Sequence, residues 1–207
     1  TSLKTLRKVG SDYYAQGRYA EASAALQRVI EADPNDIPSH INLALVFYSG
    51  IGDYDAASAT LEAALRSQPN ATAAHHLLGK VYLRQNRLEE AIASLGQATK
   101  LGSSWEYENW LGLAYMRVDS LQLAKSAFLN AATLAPWEPR PRLHLSRVYE
   151  ALNLPKAADR ERTTFERLNP AHRRVEHYTR KVREYPDNAR ARLLLGQAYL
   201  EQSRLRQ

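Results

Sequence analysis

Five prolines set the frame of this chain. Pro34, Pro69, Pro136, Pro170 and Pro186 each follow an amphipathic run. Pro34 to Pro69 and Pro136 to Pro170 each span one period of about 34 residues, and Pro69 to Pro136 spans two. A unit of that length is a helix–turn–helix that cannot bury its apolar face alone and must stack on its neighbours. The chain is therefore expected to be all-α, a solenoid of antiparallel helix pairs.

Aligning on the prolines gives five repeats, 3–36, 37–71, 72–104, 105–138 and 139–172, followed by an irregular C-terminal hairpin over 173–207. At the eighth position of each repeat stand Gly10, Ala44, Gly79, Gly112 and Ser146, all small. Three residues later come Tyr13, Phe47, Tyr82, Tyr115 and Tyr149. Further columns hold Ala22, Ala57, Ala91, Ala124 and Ala158, and then Val29, Ala64, Ala98, Ala131 and Phe165. Small residues on both helices let two backbones approach at their crossing. The aromatic column fills the space where hairpins meet at low side-chain entropy cost. A proline cannot continue the helix and turns the chain into the next unit.

The columns resemble the tetratricopeptide repeat, whose signature pairs Leu-Gly with a following Tyr, then Ala and Pro. Leu78-Gly79 with Tyr82 and Leu111-Gly112 with Tyr115 carry the resemblance most fully, it extends over nearly the whole chain, and it implies a right-handed superhelical solenoid of antiparallel helix pairs. Departures from the pattern are local. The Ser49-Gly50-Ile51-Gly52 turn holds an extra residue, Ser103 stands in place of a proline, and Arg162 occupies an apolar column. After Pro170 the next column proline, Pro186, comes half a repeat too early, so one helix is expected to be missing. The segments 171–185 and 189–202 are expected to form an antiparallel hairpin of their own. Ala171, Val175, Tyr178, Val182 and Tyr185 would be the buried stripe of its first helix. Ser203-Arg204-Leu205-Arg206-Gln207 reads as a turn opening a further helix, as if the array continued or its open end were covered by a partner or a second copy.

Charge is unevenly distributed. Residues 1–154 carry 15 basic and 15 acidic side chains, whereas 155–207 carry 13 and 7, so the net +6 resides in the last quarter. That asymmetry leaves open a polyanion-binding reading, with Arg173, Arg174, Arg180, Lys181 and Arg183 as the cations, although Glu176 and Glu184 interrupt them. Nucleic acid is not the favoured partner. The absence of cysteine excludes disulfides and thiolate chemistry. No apolar run reaches the roughly 18 residues of a membrane span. No phosphate loop, nucleophile elbow or HExxH motif is present, and adjacent His75 and His76 point about 100° apart on a helix, the wrong geometry for one metal. No enzyme activity, cofactor or metal is expected. His75 reads as a satisfied interface histidine.

The resemblance also implies a binding surface. In the family the first helix of each hairpin lines a concave groove. Its ligand-facing positions correspond here to Lys4, Arg7, Ser11 and Tyr14, then Ile41, Leu45 and Tyr48, then His76, Lys80, Leu83 and Arg84. The fourth and fifth repeats supply Asn109, Leu113, Met116 and Arg117, then Arg140, Leu143, Arg147 and Glu150. Aliphatic anchors among cations suit a protein partner that offers an acidic and apolar peptide or an amphipathic helix. The clamp that captures chaperone tails is not expected, because Ser11 follows Gly10 where an asparagine would stand. A non-catalytic scaffold is the reading carried forward, with self-assembly through the C-terminal end as a further alternative. The Ala-, Leu- and Arg-rich style points to a bacterial protein of cytoplasm or periplasm.

Overall fold

The computed structural model describes residues 2–204. Its described residues form eleven α-helices in sequence, and the chain divides after Ser103 into two compact units. The first unit contains α1 (Leu3–Ala15), α2 (Tyr19–Ala32), α3 (Ile37–Leu45), α4 (Tyr54–Ser67), α5 (Thr72–Arg84) and α6 (Leu88–Leu101). The second contains α7 (Trp105–Arg117), α8 (Leu121–Leu134), α9 (Pro139–Ala151), α10 (Pro155–Glu184) and α11 (Ala189–Arg204). Within each unit consecutive helices pack as antiparallel pairs, as the repeat period requires.

Turn chemistry explains the regularity. In the α1–α2, α5–α6, α7–α8 and α9–α10 hairpins, the fifth residue after the aromatic column donates its backbone N–H to that aromatic residue's carbonyl. Arg18 reaches Tyr13 at 2.9 Å, Arg87 reaches Tyr82 at 2.9 Å, Ser120 reaches Tyr115 at 2.9 Å and Leu154 reaches Tyr149 at 2.8 Å. This closure needs a left-handed residue just before the donor. Gly17, Asn86, Asp119 and Asn153 occupy it with φ of 73°, 62°, 55° and 56°. Asparagine and aspartate tolerate that region far better than other side chains with a Cβ. Asn153→Ala should therefore lower the unfolding free energy by about 1 kcal/mol, and Asn153→Gly should not. Urea denaturation of the two variants checks this, and equal losses in both would contradict it.

Between hairpins, Asp33, Gln68, Ala135 and Tyr185 are extended, with φ between −131° and −141°, each immediately before a column proline. Proline disfavours a helical residue ahead of it, so these four prolines end their helices as read from sequence. Pro170 does not. Helix α10 runs through it for 30 residues, so the expected break between 139–172 and the final hairpin is absent. Packing on both sides overrides an interior-proline cost of about 3 kcal/mol. Leu168 and Ala171 are buried, and His172 reaches back to within 3.8 Å of the Glu138 carboxylate. The helix omitted from the repeat pattern has thus left two second-type helices fused end to end. The first half of α10 lies on α9, where Arg142 pairs with Glu161 at 2.9 Å, and its second half lies on α11, where Arg174 pairs with Glu201. Along the second half, Ala171 is buried and Val175, Tyr178 and Val182 are half-buried, but Tyr185 is 63% exposed, contrary to the stripe read from sequence. Ser203 and Arg204 continue α11 instead of turning, and Leu205, Arg206 and Gln207 lie outside the described residues.

The alanine column is fully inside: Ala22, Ala57, Ala91 and Ala124 have no exposed surface, and Ala158 has 1%. Facing the small column of the first helices, a Cβ on Gly10, Gly79 or Gly112 would come within 2.7, 2.4 and 2.6 Å of Leu26, Leu95 and Phe128. Close approach of the two backbones is thus the reason for glycine there. Arg162, anomalous in its apolar column, is exposed and pairs with Glu150 and Asp159.

Candidate partner-binding face

In the first unit the extra residue of repeat two is absorbed inside a helix. Val46–Ile51 continues α3 as a π-helical turn, which ends at Gly52 with φ of 84°. A one-residue insertion in a helix is accommodated by such a widened turn, and these turns gather at functional sites. The turn rotates Tyr48 and Ser49 away from the α-helical register. It is seated by Gly50, whose missing side chain makes room for the Tyr19 ring, 2.6 Å from where a Cβ would lie.

A cluster of tyrosines and cations forms around it. The Tyr14 hydroxyl hydrogen-bonds Ser49 Oγ at 2.6 Å, joining the first two hairpins. The Tyr48 and Tyr54 rings lie 5.9 Å apart, and Lys80 Nζ stands 5.6 Å over the Tyr48 ring. Arg84 donates from Nη2 to the Tyr54 hydroxyl at 2.9 Å, with its guanidinium 5.4 Å from that ring. Burial raises the Tyr48 phenol above its ordinary range, so the ring stays neutral beside these cations. Tyr48, Ser49, Gly50, Ile51, Gly52, Tyr54 and Arg84 line an open cleft of about 430 Å³.

The sequence-derived positions fare differently. Tyr14, Tyr48, Lys80 and Arg84 come together in this cluster. Ile41 and Leu45 are half-buried on α3, and Lys4 is exposed near the start of α1. Arg7 is held by Asp36 at 2.6 Å. Ser11 accepts a 3.1 Å hydrogen bond from Asn42, so the residue nearest a clamp asparagine is engaged inside the array. Leu83 lies inside the helix packing. His76 is largely buried, and burial together with Lys80 lowers its pKa to about 4. His75 Nε2 lies 2.8 Å from the Pro69 carbonyl, as His40 Nε2 lies 3.0 Å from that of Pro34, an interface role that recurs at the same repeat position.

In the second unit Leu113, Met116 and Leu143 are half-buried, and Arg117 and Arg147 are exposed. Asn109 is buried. Arg140 binds Glu138 through Nε at 2.5 Å and covers the Trp105 ring at 4.6 Å, which ties it to the start of α9. Tyr54, Ser49 and Trp105 are not among the site positions that the sequence singles out. The displaced register of the π-helical turn brings Tyr54 and Ser49 in, and its sequence signal is the extra residue beside two glycines. On α10, Arg173, Arg174, His177 and Tyr178 border one open cleft and Glu176, Arg180 and Arg183 border another. With Arg174 paired to Glu201 and Glu176 among the arginines, this basic surface is interrupted by acids. No group of three or more His, Cys, Asp or Glu side chains suited to a metal occurs among the described residues, and no helix there is long and apolar enough to cross a membrane.

The fold and this face define a helical-hairpin repeat protein. Tetratricopeptide repeat models match residues 48–104, 77–141 and 171–206, and a further one matches 10–50, so the chain belongs to the tetratricopeptide repeat family. Comparison with curated proteins finds no match. Among solved structures, the chain is similar to the crystal structure of MamA, with a TM-score of 0.73 and 21% identity over 78% of this chain and 95% of that one. It is similar also to MamA 41-end from Desulfovibrio magneticus RS-1, with a TM-score of 0.74 and 22% identity over 82% and 96% of the two chains. These likenesses establish the fold. Family membership makes the chain a protein-interaction scaffold of a typically non-catalytic kind.

Proposed function

We propose that the first-helix face of the first unit binds an extended peptide or amphipathic helix whose acidic residues alternate with apolar ones. The observation that carries this reading is the cluster of Tyr14, Tyr48 and Tyr54 with Lys80 and Arg84 around the π-helical turn. Rigid tyrosines offer large contact area at low entropy cost, and the cations above them suit carboxylates on the guest. Arg84 is exposed, and its Nε and Nη2 groups donate to a phenol, an acceptor that a carboxylate would outcompete. Ile41 and Leu45 supply apolar surface on the neighbouring helix. In the second unit, Leu113, Met116, Arg117, Leu143 and Arg147 form the corresponding face.

The test compares wild type with Lys80→Glu/Arg84→Glu as bait in native extract at low and moderate salt. Proteins held by the wild type and lost by the variant, with recovery falling as salt rises, are expected. Equal retention of the same proteins by both baits would remove this face from consideration.

A further inference from the structure

The helix omitted between Pro170 and Pro186 leaves an open flank on α10, and the residues in the register that would face that helix are not the apolar ones used elsewhere. Twelve, eight and five positions before the column proline stand Ala22, Leu26 and Val29, then Ala57, Leu61 and Ala64, then Ala124, Phe128 and Ala131. All are buried, and Leu26 and Phe128 fill the space left by Gly10 and Gly112 of the first helix. Counted back from Pro186, the same three positions are Arg174, Tyr178 and Lys181. Two clefts of about 410 and 310 Å³ follow this register end to end. The first runs from Asn169 past Arg173 and Arg174 to His177 and Tyr178, and the second from those two rings past Lys181 to Arg190 of α11. Neither is lined by an acidic side chain. Arg173, Lys181 and Arg190 are exposed and form no ion pair among the described residues.

We propose that this flank binds single-stranded nucleic acid, with phosphates on Arg173, Lys181 and Arg190 and a base stacked on His177. In sequence the cations of α10 alternate with acids, but the helix sorts them. At about 100° per residue, Arg173, Arg174, His177, Tyr178 and Lys181 share an arc of about 140°. Glu176, Arg180 and Arg183 occupy the opposite side and border a separate cleft. Glu176 meets His172 there at 3.3 Å, and Glu184 lines neither basic cleft. Aromatic rings lie inside the strip. His177 is exposed, and its ring meets that of Tyr178 edge-on with centroids 5.0 Å apart. Arginine forks match phosphate oxygens, and rings set among cations give stacking surfaces for bases of any sequence. A helix is not the occupant, since the positions that seat one elsewhere are here Arg174, Tyr178 and Lys181. An acidic peptide fits less well, because a single large aliphatic side chain, Leu194, lines the strip as an anchor. This surface belongs to the second unit and does not depend on the tyrosine–cation cluster of the first.

The probe is a fluorescein-labelled, mixed-sequence oligoribonucleotide of about 12 nucleotides, titrated by anisotropy over a range of salt concentrations. Wild type is compared with Lys181→Ala/Arg190→Ala, with Arg180→Ala/Arg183→Ala, which removes the same charge from the other side of the helix, and with His177→Ala. All five side chains are exposed, so the variants keep the fold, which far-UV circular dichroism and melting confirm. Wild type should bind. Lys181→Ala/Arg190→Ala should weaken binding about tenfold or more and make the slope of log K against log salt shallower by about 1.4, as two phosphate contacts are lost. Arg180→Ala/Arg183→Ala should leave both nearly unchanged. His177→Ala should weaken binding about fivefold or more with the salt slope kept, the mark of a lost stacking contact. Absence of binding, equal losses in the two double variants, or full binding by His177→Ala each overturns the proposal. Displacement of the oligonucleotide by polyglutamate at matched charge would overturn it in favour of an acidic protein segment.

Discussion

Phe128→Ala will lower the unfolding free energy by about 3–5 kcal/mol, the largest effect expected of a single side chain here. The Phe128 ring has no exposed surface and sits where three helices meet. It lies against the bare backbone of Gly112, packs with Ala124, Ala132, Leu145 and Val148, and stacks on His144 with centroids 5.0 Å apart at 27°. Gly112, directly across the crossing, has no side chain that could swing in to fill the void. The cost is therefore lost transfer energy plus an open cavity. Hydrogen exchange should show the loss concentrated in α7, α8 and α9, because a repeat array is coupled chiefly between nearest neighbours. A loss below about 1 kcal/mol would mean that the crossing relaxes and that the small column does not depend on its large partner.

Acidification should destabilise the protein through two buried histidines. Burial is the main cause that lowers His76 and His144 from 6.5 to about 4, with Lys80 adding to it for the first and Arg147 and Arg140 for the second. A histidine with a depressed folded pKa binds fewer protons folded than unfolded between those two values. Stability is therefore fully present above about pH 6.5, falls as pH drops towards 4 and levels off below it, by roughly 3 kcal/mol per histidine. The paired measurement is urea stability against pH for wild type and His76→Gln/His144→Gln. The double variant should lose most of the slope between pH 6.5 and 4. An unchanged slope would show that both imidazoles are hydrated in the folded state. Phe128→Ala couples to this, since removing the stacked ring admits water and should bring the His144 pKa back towards its ordinary value.

Most of the architecture was legible because it is written in columns. The alanines and glycines fix how closely two helices cross, and four of the five marked prolines end a helix. Pro170 shows where column reading stops. Whether a proline breaks a helix depends on what packs around it, and Leu168, Ala171 and the Glu138–His172 approach are tertiary facts with no local signal. The turns held by Asn86, Asp119 and Asn153 were legible in principle, since their residue types favour the left-handed region, but they vary too much to form a visible column.

The candidate site was partly legible. Family positions named Tyr14, Tyr48, Lys80 and Arg84, which the structure gathers. They could not reveal that Arg7 and Arg140 are committed to Asp36 and Glu138, because ion pairing across helices needs coordinates. Nor could they place Tyr54, which enters because one inserted residue widens a helical turn by an amount that repeat alignment treats as a gap.

The most direct test of the partner-binding account is a selection of displayed random peptides on the wild-type chain, followed by titration of the winners against Lys80→Glu/Arg84→Glu. The account predicts winners with acidic residues beside leucine or aromatic anchors, and at least about tenfold weaker binding to the variant as two charge contacts reverse. Winners without acidic residues, or winners that bind both proteins alike, would contradict it.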